Sequence, residues 1–247
     1  MNILGIDIGG TGVKGALVNA TTGELISERE RIDTPKPATP TAVIEVVQRL
    51  VRRFDYQGLL GVGYPGVIMA GHTMTAANLD AGWVEFSAAA AIQQATGLST
   101  TLVNDADAAG IAEMRFGAGQ SVNGVVMVFT LGTGIGSALF VDGKLVPNTE
   151  LGHVFLRNQV IDAEKFTSER ARIEENLKWK EWSERLDEYL HLMEDLFWPN
   201  LIIIGGGASK DHDKFIPRLT LRTKVVPAEL RNEAGIIGAA MAVISEQ

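Results

Sequence analysis

The chain contains no cysteine, which excludes disulfides and thiolate metal sites and fits a reducing compartment. It has no excess of basic charge: 22 Lys and Arg stand against 30 Asp and Glu, a net charge of −8 that argues against general nucleic-acid binding. A polyanionic ligand would therefore need a local positive groove, because the global field repels it. No apolar run reaches the ~18 residues of a membrane span. The N-terminus enters a strand at once, with no basic or signal-like stretch, which leads to the expectation of a cytoplasmic protein. Low-complexity tracts and short tandem repeats are also missing. What is present is 247 residues, 46% of them hydrophobic, enough for one large or two modest domains with a sizeable core.

Two stretches look like one device used twice. Asn2-Ile-Leu-Gly-Ile-Asp-Ile-Gly-Gly-Thr-Gly-Val-Lys-Gly-Ala-Leu-Val18 and Val125-Val-Met-Val-Phe-Thr-Leu-Gly-Thr-Gly-Ile-Gly-Ser-Ala-Leu-Phe-Val141 each run from an apolar β-branched segment through a Gly/Thr cluster into a second apolar segment. That pattern is strand, tight turn, strand. Glycines there allow positive φ and close approach of backbone amides to a ligand, and a Thr hydroxyl adds a donor. Two such turns facing each other would grip one phosphate chain, with Gly9, Gly10, Thr11 and Gly12 in the first and Gly132, Thr133 and Gly134 in the second. Asp7 and Lys14 bracket the first turn, an acid suited to a cation and a point charge suited to a phosphate. No Gly-Lys-Ser/Thr opens a helix here, so this is not the usual P-loop.

Along the chain, a third strand is expected over about 25–32, with one solvated face. A helix is expected over 40–54, with Thr39 as N-cap and Pro40 at its first position. Leu59 to Tyr64 reads as a buried strand, residues 67–74 as a hairpin around Ala70-Gly71, and 85–96 as a helix ended by Gly97. Between them the loop Ala77-Asn-Leu-Asp-Ala-Gly-Trp83 could hold a sugar through amide, carboxylate and ring, or be an Asx-rich turn with a partly buried Trp. Thr100-Thr-Leu-Val-Asn-Asp-Ala-Asp107 runs a strand directly into a helix. Asp105 there reads either as an N-cap or as a general base at a strand end, where open α/β sheets place ligands. Asp142-Gly143 marks a tight hairpin, and Glu150 and His153 sit three apart around Gly152, a spacing that assigns no chemistry by itself.

Residues 162–198 are charged and helical, and between Arg157 and Arg185 seven basic residues match seven acidic ones. The segment is either a solvated face with aromatics packed inward or the cationic rim that Lys14 alone cannot supply. Leu201 to Gly207 is a buried strand into a glycine turn, a third candidate phosphate contact. Residues 220–226 read as a strand, and Asn232 to Ala240 opens a small-residue helix.

Taken together, Asp7-Ile-Gly-Gly-Thr-Gly, Asn104-Asp105, Leu131-Gly-Thr-Gly-Ile-Gly136, Glu150-Leu-Gly-His153 and Gly205-Gly-Gly207 resemble the ROK sugar kinases from residue 3 to about 240. Within that family, Thr11-Gly-Val-Lys-Gly15, Asn104-Asp-Ala-Asp-Ala-Ala-Gly110, Thr130 to Ser137 and Ser168-Glu-Arg-Ala-Arg172 ahead of Trp179-Lys-Glu-Trp182 are similar to the polyphosphate glucokinases. The resemblance implies an α/β fold of the actin-like ATPase type (ribonuclease H-like), with duplicated domains and a cleft between them. It implies residues 1–106 plus 235–247 in a small domain and 107–234 in a large one. It implies Mg²⁺-dependent phosphoryl transfer from polyphosphate or ATP to the 6-hydroxyl of glucose, with mannose as a second acceptor and a homodimeric enzyme. Asp105 would be the base, Asn78, Asn104, Glu150 and His153 sugar contacts, Asp7 the metal-side residue, and Lys165, Arg170 and Arg172 a polyphosphate rim. Many members carry a Cys-x-Cys-Gly-x-x-Gly-Cys-x-Glu zinc segment after the Glu/His motif. The absence of cysteine excludes that zinc, and Glu164 is the candidate for the sugar-binding Glu that follows it. Two other readings are an ATP-only hexokinase and a sugar-binding regulator. The regulator is disfavoured because the first strand leaves no room for a preceding DNA-binding segment.

Overall fold

Asn2–Ile8 (β1) and Gly12–Asn19 (β2) pair antiparallel in one unbroken register from Asn2↔Asn19 to Ile8↔Val13. The computed structural model describes residues 1–77, 79–157 and 160–245. Glu30–Asp33 (β3) follows, then Pro40–Arg53 (α1), Leu59–Tyr64 (β4), the small hairpin Ile68–Met69 (β5) and His72–Thr73 (β6), Ala88–Thr96 (α2), Ser99–Asn104 (β7) and Asp105–Phe116 (α3). The sheet order is β3-β2-β1-β4-β7, antiparallel across the first three strands and parallel from β1 through β4 to β7.

The second half repeats this plan. Val125–Leu131 (β8), Ile135–Val141 (β9) and Lys144–Val146 (β10) form the antiparallel part. After Phe155–Leu156 (β11), Ile161–Asp162 (β12), Ala163–Thr167 (α4), Glu169–Glu174 (α5) and Trp179–Phe197 (α6), the strands Leu201–Gly205 (β13) and Val225–Pro227 (β14) extend the sheet in parallel. The order β10-β9-β8-β13-β14 matches that of the first sheet strand for strand. The chain divides into two compact units, Met1–Ala112 with Glu233–Gln247, and Glu113–Asn232. The first unit closes on Ala234–Ser245 (α7).

The small residues explain how α7 seats. A Cβ at Gly5 would strike the Ile236 carbonyl, and one at Gly61 the Ala239 carbonyl, so the helix backbone lies directly on β1 and β4. The first core gathers Leu4, Ile6 and Ile8 with Val43, Val47 and Leu50 of α1. The second gathers Met127, Phe129 and Leu131 with Trp182, Leu186 and Tyr189 of α6. No helix among the described residues is long and apolar enough to cross a membrane.

The observed elements depart from the expected ones where side chains take over backbone bonding. The strand expected from residue 25 is regular only over Glu30–Asp33, because Ser27 Oγ, not a ladder partner, accepts the Leu17 amide. The helix expected from residue 85 begins at Ala88, since Glu85 holds φ +56°. The strand expected over 220–226 shrinks to Val225–Pro227. The amides of Thr220, Arg222 and Thr223 go instead to the carboxylates of Asp187 and Glu194 on α6. The charged segment is not one helix either: Ser168 ends α4 and, through its side chain, N-caps α5.

Candidate active site

The first turn closes when the Gly9 amide donates to the Gly12 carbonyl at 3.1 Å. Its other carbonyls are also tied back: Gly9 accepts from Thr34 Oγ1, and Thr11 accepts from the Thr34 amide and from Arg31 Nη2 at 2.9 Å. Carbonyl oxygens bound inside the protein do not oppose an anion at the turn. Gly10 and Thr11 are exposed. Of the two reasons expected for the glycines, positive φ does not hold: Gly9, Gly12, Gly132 and Gly134 all lie outside the left-handed region. At Gly12 and Gly134 a side chain of the protein occupies the space a Cβ would need. A Cβ at Gly12 would meet the Arg31 guanidinium, and one at Gly134 the Glu164 carboxylate.

Asp7 and Lys14 are direct cross-strand partners, and their side chains form an ion pair at 3.1 Å. The Asp7 carboxylate also lies against Gly235 at the start of α7, where a Cβ would stand 3.2 Å from its carboxyl carbon. Among the described residues no group of three His, Asp or Glu is placed to hold a metal ion. A lone carboxylate fits Mg²⁺ that arrives on phosphates and keeps most of its waters.

At the other end of the same sheet, β7 delivers Asn104 and Asp105. Asn104 is buried, its Oδ1 accepts the Ala106 and Asp107 amides at 2.8 and 3.0 Å, and its Nδ2 donates to the Gly66 carbonyl. Asn104 is therefore the N-cap of α3, and Asp105 is the first helical residue, half-buried, with its Oδ1 also accepting the Ala106 amide at 2.8 Å. The loop after β6 resolves toward the turn reading. Asp80 caps the turn over residues 81–83 through the Gly82 amide, and Trp83 is fully buried with its indole N–H on the Ala38 carbonyl. Asn78 lies outside the described residues.

In the second unit the Gly132 amide donates to the Gly134 carbonyl, and the Gly132 carbonyl accepts from the Arg170 amide, both near 3 Å. Glu164 is wedged against Gly134 and accepts the Ile135 amide at 2.9 Å. Ser137 stitches the Glu150 loop to β9: its hydroxyl donates to the Thr149 carbonyl and accepts the Leu151 amide. No Cβ fits at Gly152, which packs on the Ile135 carbonyl. These contacts hold Glu150 and His153 close to Glu164. Desolvation raises the Glu150 carboxyl above the usual range, His153 beside it works the other way, and Glu164 adds to the rise. His153 Nδ1 meets Asp162 Oδ2 at 3.3 Å, so its ring is oriented by the residue that N-caps α4.

The three rim residues separate. Lys165 and Arg170 are exposed and line one pocket of ≈ 340 Å³ with Ser168, Ala171 and Glu174. Arg172 does not line it; its guanidinium sits 4.1 Å from the Trp179 ring. Trp179 in turn stacks on Phe215, and Trp182 is buried with its N–H on the Thr167 carbonyl. Gly207, the third glycine turn, lies under the Glu169 carboxylate, whose pKa burial raises. Sequence reasoning passed over Arg31, Thr34 and Ser137 as site residues; only Ser137, inside a quoted motif, carried a signal.

A duplicated sheet with a glycine turn at each β-hairpin and an acid at the end of a parallel strand is the plan of a phosphoryl-transfer protein of the actin-like ATPase fold. The chain belongs to the ROK family, whose model matches residues 3–166. The polyphosphate glucokinase of Mycobacterium tuberculosis (strain ATCC 25618 / H37Rv) is 44% identical over 243 residues, covering 98% of this chain and 91% of that protein. The crystal structure of the inorganic polyphosphate/ATP-glucomannokinase from Arthrobacter sp. strain KM superposes with TM-score 0.93 at 46% identity, covering 100% of this chain and 99% of that one. A ROK glucokinase from Streptomyces griseus in complex with glucose and AMPPNP shares the fold, with TM-score 0.87 at 22% identity over 99% and 100% of the two chains.

Proposed function

We propose that this protein is a polyphosphate glucokinase, transferring a phosphoryl group from inorganic polyphosphate, and also from ATP, to the 6-hydroxyl of glucose. The observation that carries the reading is the placement of Asp105 directly after the parallel strand β7, as the first residue of α3, with Asn104 as the N-cap beside it. A carboxylate at that position would orient the sugar hydroxyl and take its proton as the O–P bond forms. Glu150 and His153 bond to other sugar hydroxyls, and Asn78 and Asn104 contribute further sugar contacts. Gly9, Gly10, Thr11, Gly12, Gly132, Thr133 and Gly134 supply backbone approach to the phosphates, and Lys14 supplies charge.

Transfer of this kind needs positioning and charge neutralisation more than covalent chemistry. Asp7 is the residue that would hold Mg²⁺ on the donor side. When bound, the ion would neutralise charge on the transferring phosphate. Lys165 and Arg170 extend the donor side for a longer chain. The enzyme is expected to be a cytoplasmic homodimer, which light scattering and fractionation would test. Mannose is the second acceptor to try.

The direct test compares the wild type with Asp105→Ala. The wild type should form glucose 6-phosphate from glucose and polyphosphate with Mg²⁺. The variant should lose 10²–10⁴-fold or about that in kcat while glucose binding by calorimetry stays within about twofold. Near-normal turnover by the variant would remove Asp105 as the base.

A further inference from the structure

Asp7, Lys14 and Arg31 form one row across three strands: Asp7 faces Lys14 on β1 and β2, and Lys14 faces Arg31 on β2 and β3. Directly opposed residues in antiparallel pairs share a sheet face, so the three side chains emerge together. The next same-face pair toward the turn is Gly12↔Asp33. Because Gly12 has no side chain, the Arg31 guanidinium leans over it, with Nε and Nη2 at 2.5 and 2.7 Å from where a Cβ would stand. It reaches the turn itself, donating to the Thr11 carbonyl at 2.9 Å, and pairs with Asp33 at 2.6 Å. These contacts use two of its five donors on protein acceptors.

We infer that Arg31 is a donor-binding residue, with its guanidinium contacting the phosphate chain held at the first turn. The inference rests on the reading of that turn as the donor site and names a residue no part of that reading uses. A planar guanidinium suits phosphate oxygens better than a point charge does. Its ion pair with Asp33 does not compete strongly, since Asp33 is 82% exposed and Arg31 46% exposed, and exposed pairs are weak. Lys14, by contrast, is already engaged by Asp7. Arg31 therefore supplies the more available positive charge beside Gly10 and Thr11.

The alternative is that Arg31 only staples Thr11. Three variants separate the two. Arg31→Ala should raise the polyphosphate KM about tenfold, the effect of one charge-assisted hydrogen bond, and weaken calorimetric binding of tripolyphosphate by a similar factor. Its glucose KM should not change, and its tripolyphosphate affinity should depend less on salt. Arg31→Lys should recover part of the loss. Asp33→Asn keeps the Thr11 contact and frees the charge, so it should lower the polyphosphate KM about twofold. An unchanged donor KM in Arg31→Ala, equal rises for donor and glucose, or no effect of Asp33→Asn would overturn the inference. A wild type that makes no sugar phosphate from polyphosphate defeats the functional reading instead. Wild-type turnover with an unaffected Arg31→Ala defeats only this one.

Discussion

The two glycine turns share a pattern of letters and differ in what holds them. At the first, side chains from β3 and the segment after it do the holding: Arg31 and Thr34 tie down the Thr11 and Gly9 carbonyls, and an Asp7–Lys14 pair stands beside them. At the second, α4 and α5 do it: Glu164 takes the Ile135 amide, and the Arg170 amide takes the Gly132 carbonyl. In both, turn carbonyls are bonded within the protein. The first turn is thus held by charged and hydroxyl side chains, and the second by a backbone amide and a carboxylate wedge. The lesson is that a glycine motif specifies approach, while its chemistry depends on what leans over the missing side chains.

Breaking the second turn should have the larger effect. Glu164→Ala leaves the Ile135 amide without its acceptor, with an expected cost of about 1–3 kcal/mol in stability. Because Glu164 also borders Glu150, both donor and glucose KM should rise; a variant with normal KM values would show that the wedge is not needed. Lys14→Ala acts on the first turn alone. Its donor KM should rise about tenfold, as for loss of one bond to a charged group, with the glucose KM within twofold or about that; equal effects on both would remove Lys14 from the donor side.

Smaller effects sharpen the contrast within the second unit. Lys165→Ala and Arg170→Ala should each cost about threefold in KM for long polyphosphate, the scale of an exposed ionic contact, and less for ATP. Arg172→Ala should instead lower the melting temperature, because its contact is with Trp179. Equal behaviour of Arg170 and Arg172 would erase the distinction drawn between them.

Two acids are shifted in opposite directions, so acidification acts on them in different pH windows. The raised Glu150 carboxyl should protonate above the ordinary glutamate range, so glucose affinity should begin to fall on acidification earlier than for an exposed glutamate, and Glu150→Gln should abolish that pH step. Glu194 goes the other way. Burial alone would raise its pKa, but bonds from the Thr223 and Arg222 side chains and amides outweigh this and bring it to about 2. Its folded pKa is depressed, so its contribution to stability is fully present above the ordinary value of 4.5 and is lost as pH falls through about 2. An acid melt of Glu194→Gln with the same slope as the wild type over that window would contradict this.

Most of the architecture was legible because hydrophobic period and breakers were strong. Thr39-Pro40 starts α1 as read, and Asp142-Gly143 turns the hairpin with positive φ at both positions. The misses at residues 25–29 and 220–224 share one cause: backbone amides satisfied by distant side chains, which no local pattern announces. The site was legible as residue types, less so as roles. The Asn104 side chain also caps α3 and donates to the Gly66 carbonyl 38 positions away, bonds that no local pattern announces. Arg31 was one charge among several in an alternating strand, and only the register placed it over Gly12.

The most direct measurement of the central claim is the rate of glucose phosphorylation by purified protein with Mg²⁺, comparing ATP with polyphosphates of increasing length. Activity that rises with chain length is the expected result. Activity with ATP alone, or with neither donor despite measurable glucose binding, would contradict the account.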